Sequence, residues 1–140
     1  MTIVGCAGSF PGPDSPASCY LIEADGFRLV VDLGNGALGA LQRYCDLDSV
    51  DAICISHQHA DHCIDMTGYL VTQIHHPQGP RPKLPVYGPA GTADRLTRAL
   101  GLDPPVPMTE GFDFITLEPG TLEIGPLRVT TARMNHSVET

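Results

Sequence analysis

Residues His57, His59, Asp61 and His62 place four metal-ligand side chains within a six-residue stretch, His57-Gln58-His59-Ala60-Asp61-His62, directly after Ser56. In an extended backbone, residues two apart face the same way, so His57 and His59 can converge on one ion. A turn at Ala60 would then let Asp61 and His62 project toward a second. Imidazole combined with carboxylate suits Zn²⁺, with Mn²⁺ or Fe²⁺ as alternatives, because Mg²⁺ prefers an all-oxygen set. A histidine-rich strand end can also be no more than a polar loop, but four ligand types at this spacing favour metal over that reading. Cys63 follows directly and could add a thiolate, although a small buried residue on a helix is the better account of it. His75 and His76 are adjacent, cannot share one helix face, and read as structural or surface residues.

Something must hold that loop in place. Residues 52–55, Ala-Ile-Cys-Ile, form the continuous apolar run of a strand buried on both faces, and it runs straight into the histidines. Upstream, residues 3–6 suggest a short strand, followed by a Pro- and Gly-rich loop. Two β-rich segments, 19–23 and 27–32, are joined through Ala24-Asp25-Gly26, and the Asp-Gly pair predicts a hairpin. Residues 37–44 suit an amphipathic helix. Beyond the histidines, helices are predicted over 66–75 and 92–100, with a strand at 84–87 between them. Strands at 114–117, 122–124 and 127–134 close the chain, giving an α/β order with no internal repeat or linker.

The 140 residues are enough for one domain and too few for two ordinary ones. Sixteen Asp and Glu against eight Lys and Arg leave no general basic grip for a polyanion, so any such substrate must be held locally by metal or by a few donors. The five cysteines are scattered without a Cys-x-x-Cys pair and read as reduced thiols of a cytoplasmic protein. No apolar stretch approaches the ~18 residues of a membrane span, and no basic leader precedes the first strand, so no membrane partner is expected.

With these residues in view, the sequence resembles the metallo-β-lactamase superfamily, whose His-x-His-x-Asp-His motif stands here as His57, His59, Asp61 and His62. Asp32-Leu33-Gly34-Asn35-Gly36 is similar to the family's Asp-x-Gly segment, which makes Asp32 a support for the site. Asn135-His136-Ser137-Val138-Glu139 resembles the later motif whose histidine completes the first metal site, so the resemblance implies His136 as third ligand beside His57 and His59. Gly5-Cys6-Ala7-Gly8-Ser9, followed by residues 13–21, is similar to ribonuclease Z and related bacterial cyclic-nucleotide phosphodiesterases. A Gly and Ser loop there could offer N–H and hydroxyl donors, Ser9 and Ser18 among them, to phosphate oxygens.

The resemblance implies a metallo-β-lactamase-type αββα sandwich, N-terminal half only, with hairpin-joined strands in each sheet and helices packed outside. Residues 1–140 would be the N-terminal part of a single domain, because the family's bridging aspartate and final histidine lie in a later half. It further implies two divalent ions, zinc foremost, and a metal-bound hydroxide attacking a cyclic nucleotide or RNA phosphodiester. Asp61 would both bind metal and accept a proton, and the full-length form would be a homo-oligomer. Residues 1–140 by themselves should be catalytically silent. The rivals are a thioester or lactam hydrolase with the same metals and a non-catalytic binding module, which would have no need of an intact ligand set.

Overall fold

The computed structural model describes residues 1–104 and 108–138. Six strands form one mixed sheet in the order β1 (Thr2–Gly5), β2 (Cys19–Ala24), β3 (Phe27–Val31), β4 (Ala52–Cys54), β5 (Leu84–Gly88) and β6 (Phe112–Thr116). The first three pair antiparallel, and β3 through β6 run parallel. The predicted Asp-Gly hairpin joins β2 to β3, with Asp25 at φ 50° and Gly26 at φ 81°, the two positive angles that match a tight turn to strand twist. β4 is buried along its whole length, as its unbroken apolar run requires of a central parallel strand.

One face of this sheet carries α1 (Ala37–Leu41), α3 (Met66–Ile74), α4 (Thr92–Ala99) and α5 (Met108–Gly111), with Ile53, Val86, Tyr69, Leu96 and Phe112 in the shared core. The other face is covered by a second, two-stranded sheet, β7 (Gly120–Ile124) and β8 (Leu127–Thr131). Ile124 from that hairpin packs with Leu29, Ala52 and Cys54. Its turn needs Gly125, at φ 56°, because a Cβ there would lie 2.6 Å from the Phe27 ring. Helices, sheet and second sheet in that order are the α-β-β layers of the expected half-sandwich.

Several predicted bounds are corrected. The first helix stops at Leu41 rather than residue 44, because Tyr44 N bonds back three residues to the Leu41 carbonyl and tightens the end of the helix. The turn expected at Ala60 is the opening of a short helix, α2 (Ala60–Cys63), with His59 as its N-cap. The last strand ends at Thr131, and Met134 is exposed. A 3₁₀ turn at Leu47–Ser49 and the four-residue α5 are too short to carry a periodic signal.

The register sets the site. Val31 pairs with Cys54 and Cys54 with Tyr87, so β3, β4 and β5 end at the same edge, where parallel sheets hold their ligands. Asp32, Ser56 and Gly88 follow at that edge. The loop after β3 and helix α2 then interlock through Leu33 N to the His62 carbonyl (2.7 Å) and Asp65 N to the Leu33 carbonyl (3.1 Å). Gly34 permits this approach, since a Cβ on it would fall 1.9 Å from the Asp61 carbonyl oxygen.

Two glycine substitutions should therefore act in opposite directions. Gly34→Ala forces backbone apart and should destabilise the full chain by about 1–3 kcal/mol. Gly39→Ala, inside α1 with open space around the new methyl, should stabilise it by about 0.5–1 kcal/mol. Urea midpoints of the two variants against wild type check both signs.

Candidate metal centre

Asp32 is 3% exposed and takes a positive φ of 61°, directly after β3. Its carboxylate collects four donors. Ser56 N donates to Oδ1 at 2.8 Å, while Oδ2 accepts Ser18 Oγ at 3.0 Å, Ser56 Oγ at 2.9 Å and His62 Nδ1 at 2.6 Å. Three of these bonds fall on Oδ2 and one on Oδ1, so neither oxygen is left buried without a donor.

The network also orders two imidazoles. Ser56 Oγ has one proton and gives it to Asp32, so His57 Nδ1, 3.0 Å from that hydroxyl, must be the donor to it. His57 then presents Nε2 as a lone pair. His62, donating its Nδ1 proton to Asp32, likewise presents Nε2. A single carboxylate thus aims His62 directly and His57 through a hydroxyl, as ligand histidines are commonly aimed.

His57, His59 and His136 offer ligand nitrogens all within 4.8 Å of one another, a spacing that one ion can span after modest closure. The ring of His57 lies 4.9 Å from that of His59 and 4.7 Å from that of His136. His57 is buried and His136 exposed, so the cluster opens to solvent on the His136 side. The three converging imidazoles fit a borderline-soft divalent ion. His62 stands beside them, its ring 4.0 Å from that of His57, and pairs with Asp61 across 3.4 Å between Nε2 and Oδ2. Asp61 and His62 therefore form a neighbouring pair rather than part of the three-histidine cluster.

The electrostatics of the two inner histidines diverge. Burial, reinforced by the neighbouring His62, holds His57 below its ordinary pKa, although Asp32 pulls the other way. The hydrogen bond that His62 donates to Asp32 raises its pKa, against the effect of its burial.

Other sequence-stretch expectations resolve in the same place. Ser18 is buried and turned to Asp32, so it supports the carboxylate rather than facing a substrate; Ser9 stands exposed on its loop. Burial pushes the Cys63 thiol up to about 11, and its sulfur donates to the His59 carbonyl, which leaves a structural residue on α2 and no thiolate for an ion. His76 faces Asp48 at 3.3 Å, where Arg81 also lands at 3.1 Å, a surface tie remote from the cluster in role. All five cysteines are free. Glu139 of the tail motif lies outside the described residues. Ser56, the link between Asp32 and His57, was missed by sequence reasoning; its place between a buried strand and the first histidine was the available signal.

Replacing Asp32 by Asn should loosen both histidines. In metal-free full-length protein the raised His62 pKa should fall toward the ordinary histidine value, read by NMR titration, since the carboxylate that accepts its Nδ1 proton is gone. Zinc affinity by chelator competition should drop about 10–100-fold. Because a raised histidine stabilises the fold below its unfolded pKa and loses that contribution as pH climbs through the folded one, the variant should also lack that part of the metal-free protein's decline in stability with rising pH.

Residues 12–136 match the family described as the metallo-beta-lactamase superfamily. A protein of Mycobacterium tuberculosis described as uncharacterized is 50% identical over 71% of this chain and 36% of its own length. A ribonuclease Z of Clostridioides difficile is 28% identical over 99% of this chain and 46% of its own. The crystal structure of the metallo-beta-lactamase fold protein YhfI from Bacillus subtilis superposes with a TM-score of 0.82 at 26% identity, covering 99% of this chain and 55% of that one. The chain spans about half the length of the last two and about a third of the first. With the fold, the histidine cluster and a family match over most of its residues in agreement, the chain belongs to the metallo-β-lactamase superfamily.

Proposed function

We propose that this chain supplies the larger share of a two-metal centre in a phosphodiesterase acting on cyclic nucleotides or RNA. The observation that carries the reading is the buried Asp32 carboxylate aiming His57 and His62 toward neighbouring positions beside His59 and His136. Three histidines converging beside a carboxylate-oriented His62 support coordination over a purely structural cluster. His57, His59 and His136 would hold one ion, and Asp61 with His62 part of a second, its remaining ligands coming from the length of the relatives that this chain does not span. Zinc is the favoured metal, by the imidazole-rich donor set.

Ions held there would supply Lewis acidity toward a phosphoryl oxygen and acidify water to a pKa of about 7. The protein's own part is orientation and proton handling. Asp32 and Ser56 fix the tautomers. Asp61, half-buried and beside His62, is the carboxylate positioned to accept a proton as water attacks. The kinship with a protein named ribonuclease Z supports a phosphodiester substrate. The formal charge of −8 argues against a broad polyanion grip and favours a small ester held at the ions. No helix among the described residues is long and apolar enough to cross a membrane. Residues 1–140 alone, with two ligands for the second ion, would be silent.

The test uses zinc-reconstituted full-length protein against bis-p-nitrophenyl phosphate, cyclic AMP, precursor tRNA and a glutathione thioester. Phosphodiester cleavage that disappears with a chelator and returns with zinc is expected, and His59→Ala should lower it by orders of magnitude with an unchanged circular dichroism spectrum. Turnover of the thioester without any phosphodiester would overturn the reading in favour of carbon as the electrophile.

A further inference from the structure

The residue between the first two histidines has a side chain that goes elsewhere. The rings of His57 and His59 meet each other at 4.9 Å, while Gln58 Nε2 donates to the Ala90 carbonyl at 2.7 Å and to Thr92 Oγ1 at 3.4 Å. Thr92 is 3% exposed and its hydroxyl proton goes to the Pro89 carbonyl at 2.7 Å, so the acceptor that Gln58 reaches is itself fixed. The turn from Pro89 to Thr92 is held close to the ligand loop in a second way. Gly88 packs against Ile55, where a Cβ would lie 3.3 Å from the Ile55 side chain, and Ile55 N donates to the Tyr87 carbonyl at 2.7 Å.

Beyond Ile55 the ligand loop has left the β4–β5 ladder, since β4 ends at Cys54 and its pairing with β5 ends at Tyr87. Over residues 57–59 the anchors differ in kind. His57 is tied through Ser56 to Asp32, and the His59 carbonyl begins α2 by accepting from His62 N at 3.0 Å. The peptides on either side of Gln58 connect these two anchors, and the Gln58 amide bonds are what tie this residue to the sheet-end turn. Rotation of the backbone there would swing His57 and His59 apart, because the two ligands share those peptides.

We propose that Gln58 is a positioning residue: its amide pins the backbone between two ligand histidines to the β5–α4 turn and so sets the bite of the pair. The proposal rests on the metal-centre reading above and assigns a residue that the motif itself leaves free. Its hydrogen bond to Ala90 is solvent-exposed, so losing it costs the fold little. Loss of the pin should therefore appear in metal geometry and affinity far more than in stability, which separates a positioning role from a structural one.

The experiment takes Gln58→Leu and Gln58→Glu in the full-length protein, with Gln42→Leu as control, since Gln42 makes a comparable exposed bond to the Leu38 carbonyl on α1. Leu removes the donor and Glu replaces it with an acceptor facing a carbonyl. Three readouts are needed: cobalt affinity by chelator competition, the visible d–d spectrum of the cobalt-loaded protein, and the thermal midpoint of the metal-free protein. Both Gln58 variants should lose about 10–100-fold in affinity with an altered spectrum and a nearly unchanged midpoint, while the control matches wild type. Wild-type affinity and spectrum in both variants would overturn the positioning role while leaving the metal centre standing. A thermal midpoint that collapses in both variants would overturn it in favour of a structural role. Wild-type protein that takes up no cobalt would overturn the metal-centre reading and this proposal with it.

Discussion

A buried carboxylate that accepts four hydrogen bonds is the interaction on which this structure turns. Moving an unpaired carboxylate out of water costs several kcal/mol or more, and Asp32 at 3% exposure is tolerated because Ser18, Ser56 and His62 surround it with donors. Those donors come from three separate segments, ahead of β2, after β4 and on α2. Satisfying one charge therefore gathers three pieces of chain at one sheet edge. The positive φ at Asp32 is part of the same arrangement, because it turns the chain out of β3 while Asp32 N still bonds to the Cys54 carbonyl at 2.8 Å. Aspartate is among the few non-glycine residues that accept this backbone region at small cost.

Close approach of backbone does the rest of the positioning. Ser18 N donates to the Asp61 carbonyl and Gly34 N to the Ser18 carbonyl, so the loop ahead of β2 is stitched by main chain to α2 and to the loop after β3. Side chains larger than hydrogen would hold them apart. At Gly5 a Cβ would come 2.2 Å from the Ala17 carbonyl oxygen, which is why the first strand can lie against the loop that carries Ser18. The site is thus rigid on its inner side, where His57 and Asp32 are buried, and open where His136 reaches in from the tail.

What was legible in the sequence follows from what is local. The ligand spacing of His57, His59, Asp61 and His62 and the Asp-Gly turn at Asp25 are patterns within a few residues, and the apolar run into the histidines needs no partner to be seen. The half-sandwich layering and the link from Asp32 to the site came through resemblance, and the geometry bears out both. Ser56 escaped because one hydroxyl in front of a motif has no periodicity, and its role exists only once Asp32, 24 residues away, is folded against it. The helix at α2 escaped because four residues are too few to show a 3.6 period, and its start depends on the His59 carbonyl being held by His62 N and Cys63 Sγ. Ser18 looked like a substrate donor when only its loop was visible; burial turned it inward.

The divergence of the two inner histidines follows from the same geometry and bears on why an ion belongs there. Clustered imidazoles oppose one another's protonation, and the lowered His57 includes that repulsion from His62, His136 and His59. His62 escapes it through a direct bond to the one buried anion, whereas Asp32 reaches His57 only through the Ser56 hydroxyl and as a distant charge. The pocket thus holds the Asp32 and Asp61 carboxylates, with His62 drawn toward its protonated form by Asp32, beside three histidines whose ligand nitrogens lie within 4.8 Å of one another. On the proposed reading a divalent cation would take the place of protons in that arrangement. It would concentrate charge where the imidazoles converge, His136 Nε2 and His59 Nδ1 lying 3.1 Å apart, at hydrogen-bond distance. Burial and the neighbouring imidazoles disfavour protonation of His57 even though Asp32 favours it, and on the reading proposed above coordination would satisfy that nitrogen instead.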